Sequence, residues 1–215
     1  MGNKVNANAL RLGISRTWDS RWFFSNNKLF KESLIQDLQI RKFLMRRYQP
    51  AGLTQVEIER SLSGMNLILH SVRPGMIIGR GGKGLEEVKH KIMELLGIKL
   101  QKEKEKFKLE IKVEQVKKPF LSARYVAEYI SERIAKNFPH RGLVHSTMEK
   151  VKESGALGVK IAIGGRIRGA NIARHEKYQI GKVPLSSVKA DIDYAQSPSL
   201  TRNGYVGIKV WICRP

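Results

Sequence analysis

The chain has 215 residues and a mass of 24.5 kDa, and 41% of it is apolar, so it can bury a core and is not a disordered polymer. Its 40 lysines and arginines oppose 19 aspartates and glutamates, giving a formal charge of +21 and a pI near 10.3, and a surface this basic wants a polyanion, nucleic acid before an anionic membrane. One cysteine, Cys213, excludes an internal disulfide framework and a Cys-based zinc site, no apolar run is long enough to span a membrane, and Asn3, Lys4, Asn6, Asn8 and Arg11 break up any secretory signal.

The excess charge is dispersed. Residues 1–50 hold 10 basic and 3 acidic groups, 51–74 hold 2 and 2, 75–118 hold 12 and 7, and 119–215 hold 16 and 7. Residues 1–24 have no period, and we expect a basic arm ending in an aromatic anchor of Trp18, Trp22, Phe23 and Phe24. Over 28–48, Leu34, Leu38, Met45 and Tyr48 form one helical stripe, stopped by Pro50 and Gly52. Val56, Ile58 and Leu62, then Leu67 and Leu69, predict two strands joined at Ser63-Gly64. There is room for a short turn at Met76–Gly79. Leu85, Val88, Ile92 and Leu95 predict a helix closed by Gly97, and Phe107, Leu109, Ile111 and Val113 alternate with charged residues as a half-buried strand.

Lys117-Lys118-Pro119 reads as a domain boundary. Beyond it, Val126, Ile130 and Ile134 mark a helix ended by Pro139, and Val144, Met148 and Val151 mark a second, stopped by Gly155. Strands are predicted at 159–163, 188–194 and 206–212 from their alternation. The expected fold class is α+β: an arm over 1–24, a first domain over 25–118 and a second over 119–215 with two helices and a mostly antiparallel sheet.

The segment Ile77-Ile78-Gly79-Arg80-Gly81-Gly82-Lys83-Gly84-Leu85 is the chemically informative one. Gly79-x-Gly81-x-x-Gly84 satisfies a dinucleotide fingerprint, but Pro74 separates the preceding strand from the glycines, and Glu103 and Glu105 lie in a lysine-rich stretch instead of ending a buried strand. A Walker loop fails because Gly84 follows Lys83. An aliphatic pair, then Gly-x-x-Gly, then a helix fits the K-homology RNA-binding module. Glycines let the backbone approach a phosphodiester, amides at a helix N-terminus favour the anion, Arg80 and Lys83 add charge, and Ile77 and Ile78 pack below. The order helix, two strands, loop, helix, strand fits the type II form of that module. A second basic turn, Gly164-Gly165-Arg166-Ile167-Arg168-Gly169, could clamp phosphate.

No catalytic constellation emerges. His70, His90, His140, His145 and His175 form no metal-ligand spacing and read as surface or RNA-contacting residues. The serines Ser61, Ser63, Ser186 and Ser187 lack a nucleophile elbow, and Asp191 and Asp193 read as partners for arginine or lysine.

Residues 2–14 (GNKVNANALRLGI), 73–88 (RPGMIIGRGGKGLEEV), 164–194 and 204–212 (GYVGIKVWI) resemble, collinearly, the bacterial and organellar small-subunit ribosomal protein S three family. The resemblance implies the arm, a type II K-homology domain, a C-terminal α+β domain, and a place in the head of the small subunit beside the channel through which mRNA enters. Expected partners are small-subunit ribosomal RNA, mRNA and neighbouring ribosomal proteins of the head, with no membrane, no cofactor and no enzymatic activity. The residues expected to touch RNA are Lys4, Arg11, Gly79, Arg80, Gly81, Gly82, Lys83, Arg141, His145, Arg166, Arg168 and Arg174. The family's first motif has Gln and His-Pro where Asn3, Asn6 and Ala7 stand, and its mRNA-gripping basic cluster aligns with Arg141, Gly142 and His145, of which only Arg141 has a fixed charge. The competing readings are a free K-homology regulator of mRNA and a nucleotide-dependent oxidoreductase built on the glycine loop.

Overall fold

The structure, a computed structural model, describes residues 4–61, 64–97 and 107–215. The chain divides into two compact units: Trp18–Lys117, and the residues up to Thr17 together with Lys118–Pro215.

The unit Trp18–Lys117 contains β1 (Ser20–Arg21), α1 (Asn27–Arg47), β2 (Leu53–Arg60), β3 (Gly64–Ser71), α2 (Pro74–Ile78), α3 (Lys83–Leu95) and β4 (Lys108–Gln115). Its sheet runs β1-β2-β3-β4; β2 and β3 are antiparallel, and β1 and β4 run parallel to their neighbours. Strand alternation puts Val56, Ile58, Met65, Leu67, Leu69 and Leu109 into one core with Ile40 and Leu44 of α1, Ile77 of α2, and Val88 and Ile92 of α3. The predicted residues Leu62 and Ser63, and the charged stretch with Glu103 and Glu105, lie outside the described residues.

Helix α1 corrects the sequence reading. Leu34 and Leu38 are 44% and 61% exposed, and the inner face instead carries Ser33, Asp37, Ile40 and Leu44. The reason is a buried carboxylate. Asp37 accepts a hydrogen bond from Trp22 Nε1 at 2.7 Å and pairs with Arg60 at 2.6 Å, so the apolar stripe misses the inner face at Leu34 and Leu38, while its other members, Met45 and Tyr48, do pack into the core. The same contact anchors Trp22, against which the half-buried Phe24 packs at 5.4 Å; Trp18 and Phe23, expected in that anchor, are 65% and 79% exposed.

The second unit contains α4 (Ala123–Ala135), α5 (His140–Glu153), β5 (Gly158–Gly165), β6 (Arg174–Gly181), β7 (Ile192–Thr201) and β8 (Gly204–Cys213). The strands form an antiparallel sheet in the order β6-β5-β8-β7. One sheet face, with Val159, Ile161, Ile163, Val206, Ile208, Val210 and Ile212, packs against Val126 and Ile130 of α4 and Val144, Met148 and Val151 of α5. Helix α4 stops at Ala135 and the chain turns at Asn137 (φ 61), so Pro139 precedes α5 instead of ending α4.

The strand predicted at 188–194 begins only at Ile192 and runs to Thr201. Its inner positions are small and polar: Ser199 donates to the Ser131 carbonyl at 2.8 Å, and Ser131 donates to the Pro198 carbonyl at 2.9 Å. Pro198 is tolerated because β7 is an edge strand. Strand β6 has no counterpart in the sequence reading because it is a polar edge, with Glu176, Tyr178 and Ile180 as its half-buried positions.

Residues 4–17 are not a free arm. Ala7 packs with Ile192 and Cys213, and the Asn8 side chain pairs with the Tyr194 backbone, accepting at 2.9 Å and donating at 2.8 Å.

Candidate nucleic-acid interface

The glycine loop lies between α2 and α3. Gly79, Gly81 and Gly82 have φ of 71, 62 and 80, a left-handed conformation that side chains resist. Gly84 is tied to the turn by close approach: a Cβ there would stand 2.6 Å from the Ile77 carbonyl oxygen and 2.9 Å from that of Ile78. The result is a tight, exposed hairpin of backbone whose Arg80 and Lys83 side chains are exposed and, among the described residues, enter no ion pair. Helix α3 starts with no side-chain cap on its N-terminal amides, leaving them for an outside acceptor. Ile77 is fully buried beneath the loop as expected, but Ile78 is 37% exposed beside Met76 at 53%, so the pair does not pack below together. Met76 and Ile78 thus border the phosphate-sized turn instead of supporting it from beneath.

The loop does sit in a β-α-β unit, because β3 and β4 are parallel neighbours. A dinucleotide site needs the glycines directly after the strand. Here α2 stands between β3 and the loop, which removes that geometry.

The C-terminal basic residues meet at the start of α5. Arg141, Arg168 and Arg174, with His140, Glu176, Ile167, Gly169 and Ala170, line a cleft of about 420 Å³. Arg168 is held at φ 54 in the turn after β5, and Arg166 is tied down by donating to the carbonyls of Ala170 at 3.0 Å and Asn203 at 3.4 Å. Arg141 is exposed, its side chain 74% accessible, and makes only a long ion pair with Glu176 at 3.9 Å. His145 is exposed, its ring edge-on to Tyr178 at 5.5 Å.

Beneath this cleft is a polar cluster that sequence spacing could not reveal. His140, expected on the surface, is 7% exposed, with Nε2 2.9 Å from Glu176, which also accepts from the Tyr178 hydroxyl. The Tyr178 hydroxyl, helped by His140 and Arg141, holds the Glu176 carboxyl below its usual range against the opposing effect of burial. Among the described residues no group of His, Cys, Asp and Glu could hold a metal ion.

Two N-terminal expectations part company. Lys4 is exposed. Arg11 is fully buried and corrects the expectation that it touches RNA: its guanidinium donates to the carbonyls of Ala190 (2.7 Å), Ser187 (2.8 Å), Ala7 (3.0 Å) and Leu185 (3.3 Å). Every one of its donor nitrogens is used inside the unit, so the charge fastens residues 4–17 to the chain before β7. Asp191 and Asp193 are arginine partners, with Asp193 3.0 Å from Arg16 and 2.9 Å from Arg214.

Residues 39–121 match the family description "KH domain", and residues 130–212 match "Ribosomal protein S3, C-terminal domain". The chain is 40% identical over 212 residues to the small ribosomal subunit protein uS3 of Clostridium novyi (strain NT), covering 99% of this chain and 92% of that protein. It is 37% identical to the uS3 protein of Carboxydothermus hydrogenoformans and 39% identical to that of Coxiella burnetii, over 99% of this chain and 91% and 89% of those proteins.

Proposed function

The chain belongs to the ribosomal protein S3 family, and from that premise we propose that it is a non-enzymatic structural constituent of the small ribosomal subunit that binds ribosomal RNA through phosphate contacts. The observation that carries this is the glycine loop: left-handed glycines, two exposed cations and an uncapped helix start, on a unit that matches a K-homology domain. The Arg141–Arg168–Arg174 cleft is the second phosphate-facing surface. It is the surface we assign to mRNA as it enters the subunit, with the ribosome of a bacterial cytoplasm or an organelle as the location and the head's other proteins as neighbours. At the two positions beside Arg141, Gly142 has open space and no side chain, and His145 has no fixed charge, so this grip is weaker than the family pattern.

Fractionation tests the reading. The tagged chain should travel with small subunits through a density gradient at moderate salt; a free K-homology regulator would stay at the top. Replacing Arg80 and Gly81 by Asp should lower RNA affinity while the chain stays folded, since both sites are exposed and Asp is among the residues that best tolerate positive φ. Unchanged affinity would remove the loop from the interface.

A further inference from the structure

The face of the second sheet turned away from α4 and α5 has its own chemistry. The register sets its rows. Gln179, Lys160, Trp211 and Tyr194 lie side by side across β6, β5, β8 and β7; Lys177, Ala162, Lys209 and Gln196 form the next row; His175, Gly164, Gly207 and Pro198 the next. Tyr205 and Leu200 pair at the far end, 68% and 62% exposed. No aspartate or glutamate occupies any of these outward positions; among the described residues Lys160, Lys177 and Lys209 enter no ion pair, and Lys160 lies over the Trp211 ring at 5.8 Å. The end at Ile192 and Cys213 is covered by Ala7 together with Val183, Leu185 and Ala190, and Tyr194 and Trp211 pack against that cover, their rings 5.2 Å apart and half-buried.

The glycine row is shaped for flat groups. A Cβ on Gly164 would stand 2.5 Å from Nδ1 of His175, so the imidazole ring lies across that glycine. At Gly207 the nearest atom to a Cβ is 3.8 Å away, which leaves a shallow gap between Tyr205 and Lys209. Rings, cations and bare backbone on an open four-stranded sheet backed by helices are what unstacked bases and their phosphates bind.

We propose that this face seats a single-stranded RNA segment, with Tyr205, His175 and Trp211 stacking bases and Lys160, Lys177 and Lys209 holding phosphates. The site is separate from the glycine loop and from the Arg141 cleft, and the absence of any carboxylate selects a polyanion over a protein surface of mixed charge. The inference rests on the reading that the chain binds RNA.

The test uses the full chain with Arg80→Gln and Lys83→Gln to silence the glycine loop, and an oligouridylate of about ten nucleotides carrying thiouridine, a length within the site sizes of such surfaces. Photocross-links should map to Tyr205, His175 or Trp211. Adding Lys177→Gln and Lys209→Gln should make the plot of log affinity against log salt shallower by about 1.4, since each lost phosphate contact on a single strand removes about 0.7. Tyr205→Ala should weaken binding at least about fivefold. All three side chains are exposed, so these variants stay folded. An unchanged slope with cross-links confined to the Arg141 cleft overturns this site and leaves RNA binding standing; failure of the parent chain to bind any RNA overturns both. Capture of a neighbouring ribosomal protein on this face, with no cross-link to RNA, also overturns it.

Discussion

Arg11 and Arg141 are the same letter with opposite fates, one fully buried and one 74% exposed at its side chain. Composition counts both toward the basic surface, and nothing in the local sequence separates them, because the carbonyls that capture Arg11 include three from residues 185–190, far along the chain. The difference is measurable. Arg11→Gln should destabilise the fold by about 3 kcal/mol, the scale of losing charge-assisted bonds to buried carbonyls, yet leave the salt dependence of RNA binding unchanged. A slope shallower by about 0.7 would mean that Arg11 does reach phosphate. Asp37 is the matching case on the acidic side. Asp37→Asn breaks a buried pair in which Arg60 is only 8% exposed at its side chain. The cost expected is about 3–5 kcal/mol, read as an earlier urea transition in Trp22 fluorescence, since that ring is bonded to Asp37.

At the scale of elements, the sequence was legible where one driving force acted alone. Helix α3 and strands β4, β5 and β8 follow simple apolar periods and stand where those periods predicted them. The glycine loop was legible because backbone geometry demands glycine there and little else does. Reading failed where polar groups were buried by long-range partners: the inner face of α1 turns on Asp37, and β7 packs its small serines against Ser131. Leu38→Gln should therefore cost less than about 0.5 kcal/mol, whereas Ile40→Ala, on the fully buried face of the same helix, should cost about 2–5 kcal/mol. Equal losses would restore the stripe drawn from Leu34 and Leu38. The glycines separate in the same way. Gly84→Ala drives a Cβ against two backbone carbonyls and should both destabilise the loop and weaken RNA binding, while Gly142→Ala meets nothing within 4 Å and should raise the melting temperature, as replacing a helical glycine gains about 1 kcal/mol.

For the molecule as a whole, two carboxyls give opposite responses to pH. Burial pushes the Glu128 carboxyl up, and Arg124 beside it pulls the other way without cancelling the effect; Glu132 adds a smaller upward push. A carboxyl raised in the folded state is best tolerated when protonated, so its cost appears as pH rises through the range above its ordinary value of 4.5. Glu176 is lowered, by the Tyr178 hydroxyl first and by His140 and Arg141 after it, so it supports the fold above its ordinary value of 4.5 and withdraws that support as pH falls through its folded value. Glu128→Gln should thus raise the melting temperature at pH 7 and leave it unchanged near pH 4. Glu176→Gln should lower the melting temperature at pH 7, and the difference from the parent should vanish as acid protonates the parent's own carboxyl. Both are read from melting curves of the full chain across pH at fixed salt, because the +21 charge makes any comparison at different ionic strength a comparison of screening as well. If Glu176→Gln melts with the parent at every pH, the Tyr178–Glu176–His140 cluster contributes nothing to the floor of the Arg141 cleft. Arg168 would then be positioned by the turn at Ile167–Gly169, and Arg141 and Arg174 only by the helix and strand that carry them.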